Sequence, residues 1–204
     1  MVGVDSLLAK SVGLVISENL SEKTLQKVDS RLFEKYGITI TQSLQDFQKL
    51  DSVLREFFGA GADGLEKKIF ENVCTLEKPT GKEQEWMTVE DQHLSKIILE
   101  AFGDEDKKKI LTALVDEPRI ISEVLDMCNI PQTSGYRKIN SLIDDGMLTP
   151  RGFITARDGK KVNKYVSVFE NVKIDIVKNK ISVKVQLSEE SLKASTMIPL
   201  IKSL

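Results

Sequence analysis

Ile130-Pro131-Gln132-Thr133-Ser134-Gly135-Tyr136-Arg137-Lys138 is the stretch on which the fold turns. Proline suits the first turn of a helix, where its missing N–H leaves nothing unpaired. The spacing of Tyr136, Ile139, Leu142 and Ile143 gives a helix over 131–145 one buried side, and Gly146 ends it. Upstream, Asp104 caps a helix of about 105–115 with Ile110, Leu111 and Leu114 inward, and Pro118 breaks the chain. Ile121, Val124 and Leu125 define a short helix that ends near Cys128-Asn129. Downstream, Leu148–Arg157 and Val162–Phe169 are the arms of a hairpin turning at Asp158-Gly159-Lys160-Lys161. A second hairpin joins Val172–Val177 to Ile181–Leu187 through Lys178-Asn179-Lys180, and its strict alternation predicts one buried and one wet face.

Helix, short helix, turn, helix and basic hairpin, in that order, is the layout of a winged helix-turn-helix. In such a motif the second helix enters the major groove of duplex DNA and reads bases with its N-terminal residues. The candidate contacts on this helix are Gln132, Thr133, Ser134, Tyr136, Arg137 and Lys138, although Tyr136 also belongs to the buried stripe. Gln can address adenine, Arg guanine, and the hydroxyls base edges or phosphate. The wing, 148–169, adds Arg157, Lys160, Lys161 and Lys164, with Arg151 near its base, for the DNA backbone or the minor groove. A solvated helix face is the plainer reading of Arg137 and Lys138 taken alone.

Charge supports the same region. The chain has 204 residues and a net charge of −2, but residues 129–184 carry 11 basic against 5 acidic side chains, +6. Local basic charge, not the total, governs affinity for phosphates. The composition, 41% apolar and 29% charged, is that of an ordinary globular protein. No apolar run reaches the roughly 18–20 residues of a bilayer span. Asp5 interrupts the start and no basic n-region precedes an apolar core, so a signal peptide is not expected. Cys74 and Cys128, each at the end of an apolar helix, predict reduced, partly buried thiols and a cytoplasmic location.

Residues 1–75 read as a helical domain. Its helices are expected at about 5–17, 22–36 behind the cap Ser21, a broad apolar face from Leu44 to Phe58, and 64–75 opened by an Asp63/Glu66 capping pair. Ile38–Thr41 is read as a crossing segment. The polar, Pro- and Gly-punctuated 76–87 is the expected linker, and Thr88-Val89-Glu90-Asp91 a helix start. The winged helix with its second hairpin then occupies 88–187, and the tail 188–204 is read as a short helix that docks or dimerises. The expected class is therefore mainly α with a β-hairpin wing, α+β.

Residues 92–169 resemble the winged-helix domain of archaeal and bacterial transcription regulators of the arsenic-repressor type. The resemblance is carried by Leu99-Glu100-Ala101-Phe102-Gly103-Asp104-Glu105, Lys109-Ile110-Leu111, Ile121-Ser122-Glu123-Val124-Leu125 and Ile130 through Leu148. It implies sequence-specific binding to double-stranded DNA by a homodimer. Metal-sensing members use clustered Cys and His, and only Cys128 is nearby, so no metal is expected. Tyr36-Gly37-Ile38, Leu54-Arg55-Glu56-Phe57-Phe58-Gly59 and Gly64-Leu65-Glu66-Lys67-Lys68 resemble a small helical output domain attached to regulators in ammonia-oxidising archaea. That implies a signalling partner or effector at the N-terminal domain.

Other signals are weaker. Gly59-Ala60-Gly61-Ala62-Asp63-Gly64 lacks the Gly-Lys-Ser/Thr ending of a phosphate loop and does not follow a strand. His93, the one histidine, has no obvious catalytic or metal partners in the sequence. No catalytic set or cofactor motif assembles, so the expectation is a DNA-binding transcription regulator and not an enzyme. The rival reading is a winged-helix module for protein interaction.

Overall fold

The computed structural model describes residues 3–77 and 85–203. Helical spacing of apolar residues governs the first third of the chain. It yields α1 (Gly3–Asn19), α2 (Glu22–Tyr36), α3 (Ile40–Ser43), α4 (Phe47–Phe58) and α5 (Gly61–Glu71). Caps set the limits of α2. The Ser21 hydroxyl accepts from the Thr24 amide at 3.3 Å, and Gly37, at φ +69°, donates its N–H to the Phe33 carbonyl at 2.8 Å. Leu8, Ile16, Leu32, Leu50, Leu54 and Ile69 are buried between these helices, where Phe47 meets Phe70 with ring centroids 5.0 Å apart.

Several local expectations change. Ile38–Thr41 does not simply cross, because Thr39 and Gln42 form a capping box that opens α3. Asp63 and Glu66 do not open a helix at 64: α5 starts at Gly61, and Asp63 turns to Arg55, 2.7 Å from its Nη2. Cys74 does not end a helix but begins a strand.

Two antiparallel sheets follow. β1 (Cys74–Leu76) pairs with β2 (Met87–Val89), β2 with β7 (Lys180–Leu187), and β7 with β6 (Phe169–Val177), in the order β1-β2-β7-β6. The flanks of the expected linker 76–87 are thus sheet residues, and 78–84 lie outside the described residues. Thr88 and Val89 belong to β2, and α6 (Gln92–Gly103) starts only after Asp91, whose carboxylate accepts from the Leu94 amide at 2.7 Å and the Ser11 hydroxyl at 2.6 Å. The second sheet has the order β3-β5-β4, built from β3 (Arg119–Ile120), β4 (Leu148–Thr155) and β5 (Lys161–Ser167). The hairpin β6–β7 therefore does not extend the wing but completes the other sheet, since Val183 and Val185 on its inner face are fully buried in the core.

Between these strands lie α7 (Glu105–Ala113), α8 (Ile121–Met127) and α9 (Gln132–Asp144), and the chain closes with α10 (Glu189–Ala194) and α11 (Ile198–Ser203). One continuous apolar cluster runs from Val4 in α1 to Ile198 in α11. The C-terminal segment docks on α1 and α4. Asp5, fully buried, accepts hydrogen bonds from the Ser195 hydroxyl and from the amide (2.8 Å) and hydroxyl (2.7 Å) of Thr196. The same Thr196 hydroxyl oxygen accepts from the Phe47 amide at 3.0 Å.

Glu66 is a second buried carboxylate, less well compensated. Its side chain is 1% exposed, Arg55 Nη2 stands 3.8 Å from Oε2, and Oε1 has no hydrogen-bond partner among the described residues. Burial, reinforced by the neighbouring Asp51 and Asp63 carboxylates against the pull of Arg55, pushes its pKa from 4.5 up to about 8. A folded-state pKa above the unfolded value means the native state binds the extra proton, so stability falls as pH rises from 4.5 through about 8. Glu66→Gln should flatten that decline and raise the unfolding temperature above about pH 8. Parallel wild-type and variant curves of unfolding temperature against pH would contradict this.

Candidate nucleic-acid interface

α9 is positioned by contacts on both of its neighbours. Asn129, at φ +53°, makes the sharp turn out of α8, and the Ile130 amide donates to the Leu125 carbonyl at 3.0 Å. Gly135 is buried on the α8 side, where a Cβ would lie 2.3 Å from Leu125 Cδ2, so α8 and α9 cross too closely for any larger residue. Ile139 and Leu142 complete the inner face. At the far end, Gly146 (φ +74°) lets α1 approach: a Cβ there would sit 2.4 Å from the Leu7 amide nitrogen.

The predicted site residues divide. Gln132, Thr133, Tyr136 and Arg137 are exposed, with Asn140 beside them at helical spacing. Arg137 has no ion-pair partner among the described residues. Tyr136, counted in the buried stripe, is 42% exposed, because Gly135 takes the inward position beside it. Ser134 is partly committed, since its hydroxyl donates to the Pro131 carbonyl at 3.1 Å. Lys138 is not displayed with Arg137. Its Nζ lies 2.7 and 2.8 Å from the two carboxylate oxygens of Asp104 and 3.0 Å from Asp106, which ties α9 to the start of α7. The carboxylates raise the Lys138 pKa, and the ammonium holds Asp104 below the usual carboxylate range. Lys107, donating to the Ser141 hydroxyl at 3.0 Å, makes a second link between the same helices. Asn140 was missed by the sequence reading, although its place one turn beyond Tyr136 and Arg137 was available from helical spacing.

On the hairpin, Arg157 is exposed and Lys160 is 82% exposed beside Asp158, at 3.1 Å. The Lys161 ammonium lies 4.4 Å from the centre of the half-exposed Phe153 ring, a cation–π contact. Strand alternation puts Lys161 and Lys164 on opposite faces of β5, and Lys164 stands opposite Ile120 of β3. Arg151 is paired with Glu190 of α10. A bulge between Pro150 and Phe153, with Gly152 at φ +75°, bends the outer strand.

Elsewhere the chemistry is sparse. Desolvation pushes the Cys74 thiol up to about 12 and raises that of Cys128, so both favour the unreactive thiol. Among the described residues no group of His, Cys, Asp and Glu is placed to hold a metal ion, and no helix is long and apolar enough to cross a membrane. In the Gly59–Gly64 stretch, Gly59 and Ala60 turn from α4 into α5, and Gly61–Gly64 form the first turn of α5. No family model, curated protein or solved structure matches the chain.

The close crossing at Gly135 is directly testable. Gly135→Ala should cost about 1–3 kcal/mol through overpacking against Leu125, measured by urea unfolding. An unchanged midpoint would show that α8 and α9 are not held at that distance.

Proposed function

We propose that α7, β3, α8, α9, β4 and β5 form a winged helix-turn-helix that binds duplex DNA, and that the protein regulates transcription in the cytoplasm as a binding protein rather than an enzyme. The observation that carries the reading is the division of α9. Its inner face is fixed by Gly135, Ile139, Leu142 and the Lys138–Asp104 pair, while Gln132, Thr133, Tyr136, Arg137 and Asn140 stand together in solvent. A rigid helix with a donor- and acceptor-rich outer face is what base readout in the major groove needs. Arg157, Lys160 and Lys161 on the hairpin supply phosphate contacts. Lys138 is left with a positioning role: it keeps α9 at its angle to α7.

The N-terminal helices supply a place for a signal. A cavity of about 510 Å³ between α1, α3 and the end of α9 is lined by Ala9, Gly13, Leu14, Ile40, Leu44 and Ile143. An effector held there would touch the helix that reads DNA. The exposed Phe153 and Val162 on the hairpin favour a second reading, in which the wing docks on a protein.

Fluorescence anisotropy with a labelled duplex across a salt series separates these readings. Arg137→Ala should cost about 1–3 kcal/mol on a specific site and relax base preference. Lys160→Ala should weaken binding evenly across sequences and lower the salt slope by about 1. Wild-type affinity in both variants would remove the outer face of α9 and the hairpin tip from any DNA contact and leave the protein-docking reading.

A further inference from the structure

Among the described residues, four strands have a free edge in the two sheets: β1, β6, β3 and β4. Three of them are protected in the usual ways. β1 and β3 are only three and two residues long, and β4 carries Pro150 and a bulge. β6 is nine residues long, and its one register shift lies at its start, between Phe169 and Asn171. From Asn171 to Val177 it pairs regularly with β7, contains no proline, and leaves Ile176 68% and Val177 64% exposed. Unprotected edges of this kind pair with other strands.

The phase of the free edge follows from the turn. Lys178 and Asn179, both at positive φ, form a two-residue loop flanked by the pair Val177↔Lys180. The residues flanking such a loop bond to each other, and antiparallel bonding then alternates along the strand. Val177, Asp175, Lys173 and Asn171 therefore spend their backbone groups on β7. Ile176, Ile174 and Val172 direct theirs outward.

We infer that this edge is a self-pairing surface, in which β6 of one copy joins β6 of a second copy antiparallel about a two-fold axis at Ile174. In that register Lys173 faces Asp175 of the second copy, and Asp175 faces its Lys173. Val172 faces Ile176, and Ile174 faces Ile174. The outward backbone groups of Val172, Ile174 and Ile176 meet the matching groups across the axis. Moving the axis by one residue to Lys173 sets lysine against lysine, and moving it to Asp175 sets aspartate against aspartate, each unfavourable directly across strands. Of the registers centred on Lys173, Ile174 and Asp175, the charges thus select the one at Ile174. Within one chain Lys173 is exposed, Asp175 is partly buried, and the two lie 3.4 Å apart, while the Glu77 carboxylate also attracts Lys173. Pairing also covers Ile176, which otherwise stands in water on the inner-face side of the sheet edge. The inference supplies a surface for the pairing that a two-fold DNA site calls for, but it stands on strand register and not on DNA binding.

Sedimentation equilibrium of the full chain without DNA, from micromolar to submillimolar concentration, tests it. The wild type should show a reversible monomer–dimer equilibrium. K173D and D175K should each weaken it at least about tenfold, since each places like charges across both symmetric pairs. Mixing the two variants should restore dimers, because each then supplies the charge the other lacks, and the double variant K173D/D175K should dimerise alone. A monomer at every concentration would overturn the inference, as would dimers indifferent to K173D or a mixture that stays monomeric. Because no DNA is present, these outcomes are independent of whether α9 reads bases.

Discussion

The buried carboxylate of Asp5 is the interaction on which the rest of the structure depends. An anion with no exposure to water is tolerated only where donors replace the lost hydration. Here the donors come from the far end of the chain: the Ser195 hydroxyl and the amide and hydroxyl of Thr196. Thr196 in turn caps the start of α4 through the Phe47 amide. One charge therefore joins α1, α4 and the C-terminal segment, and brings Met197 and Ile198 into the core. Removing any of the donors leaves a buried charge short of partners, so the chain ends are fixed more firmly than apolar contact alone would fix them.

The same helix transmits that constraint to α9. Leu7, two residues beyond Asp5, lies against Gly146 so closely that no side chain fits between them. Lys10 reaches Asp145 at 3.3 Å, and the Ser11 hydroxyl donates to the Asp91 cap of α6. The N-terminal helices are thus in direct contact, through α1, with the cap of α6 and the end of α9. In the functional reading, a change in the packing of α1 against α3 shifts the end of the helix that faces DNA, which gives a signal a short mechanical route.

What the sequence disclosed was mostly local. Ser21, Gly37, Asp104 and Pro131 mark helix ends because caps act within one turn, and Asp158-Gly159 marks a hairpin for the same reason. The strands β1 and β2 escaped notice because three residues are too few to show a period, and β7, the other partner of β2, lies about a hundred positions away in the chain. The ion pair of Lys138 escaped for the same reason: Asp104, its partner, is 34 residues upstream. Lys138 and Arg137 look alike in sequence, and only the placement of α7 separates a fixed cation from a displayed one. Tyr136 was legible only once the close contact of Gly135 with Leu125 showed which side of α9 faces inward.

The most direct measurement of the central claim is selection from a pool of random duplex DNA by the full-length protein at about 150 mM salt, near physiological ionic strength, with sequencing of the retained molecules. The account predicts an enriched motif whose most constrained bases are lost when Arg137 is replaced. Retention without any motif, or no retention at all, would contradict base readout by α9.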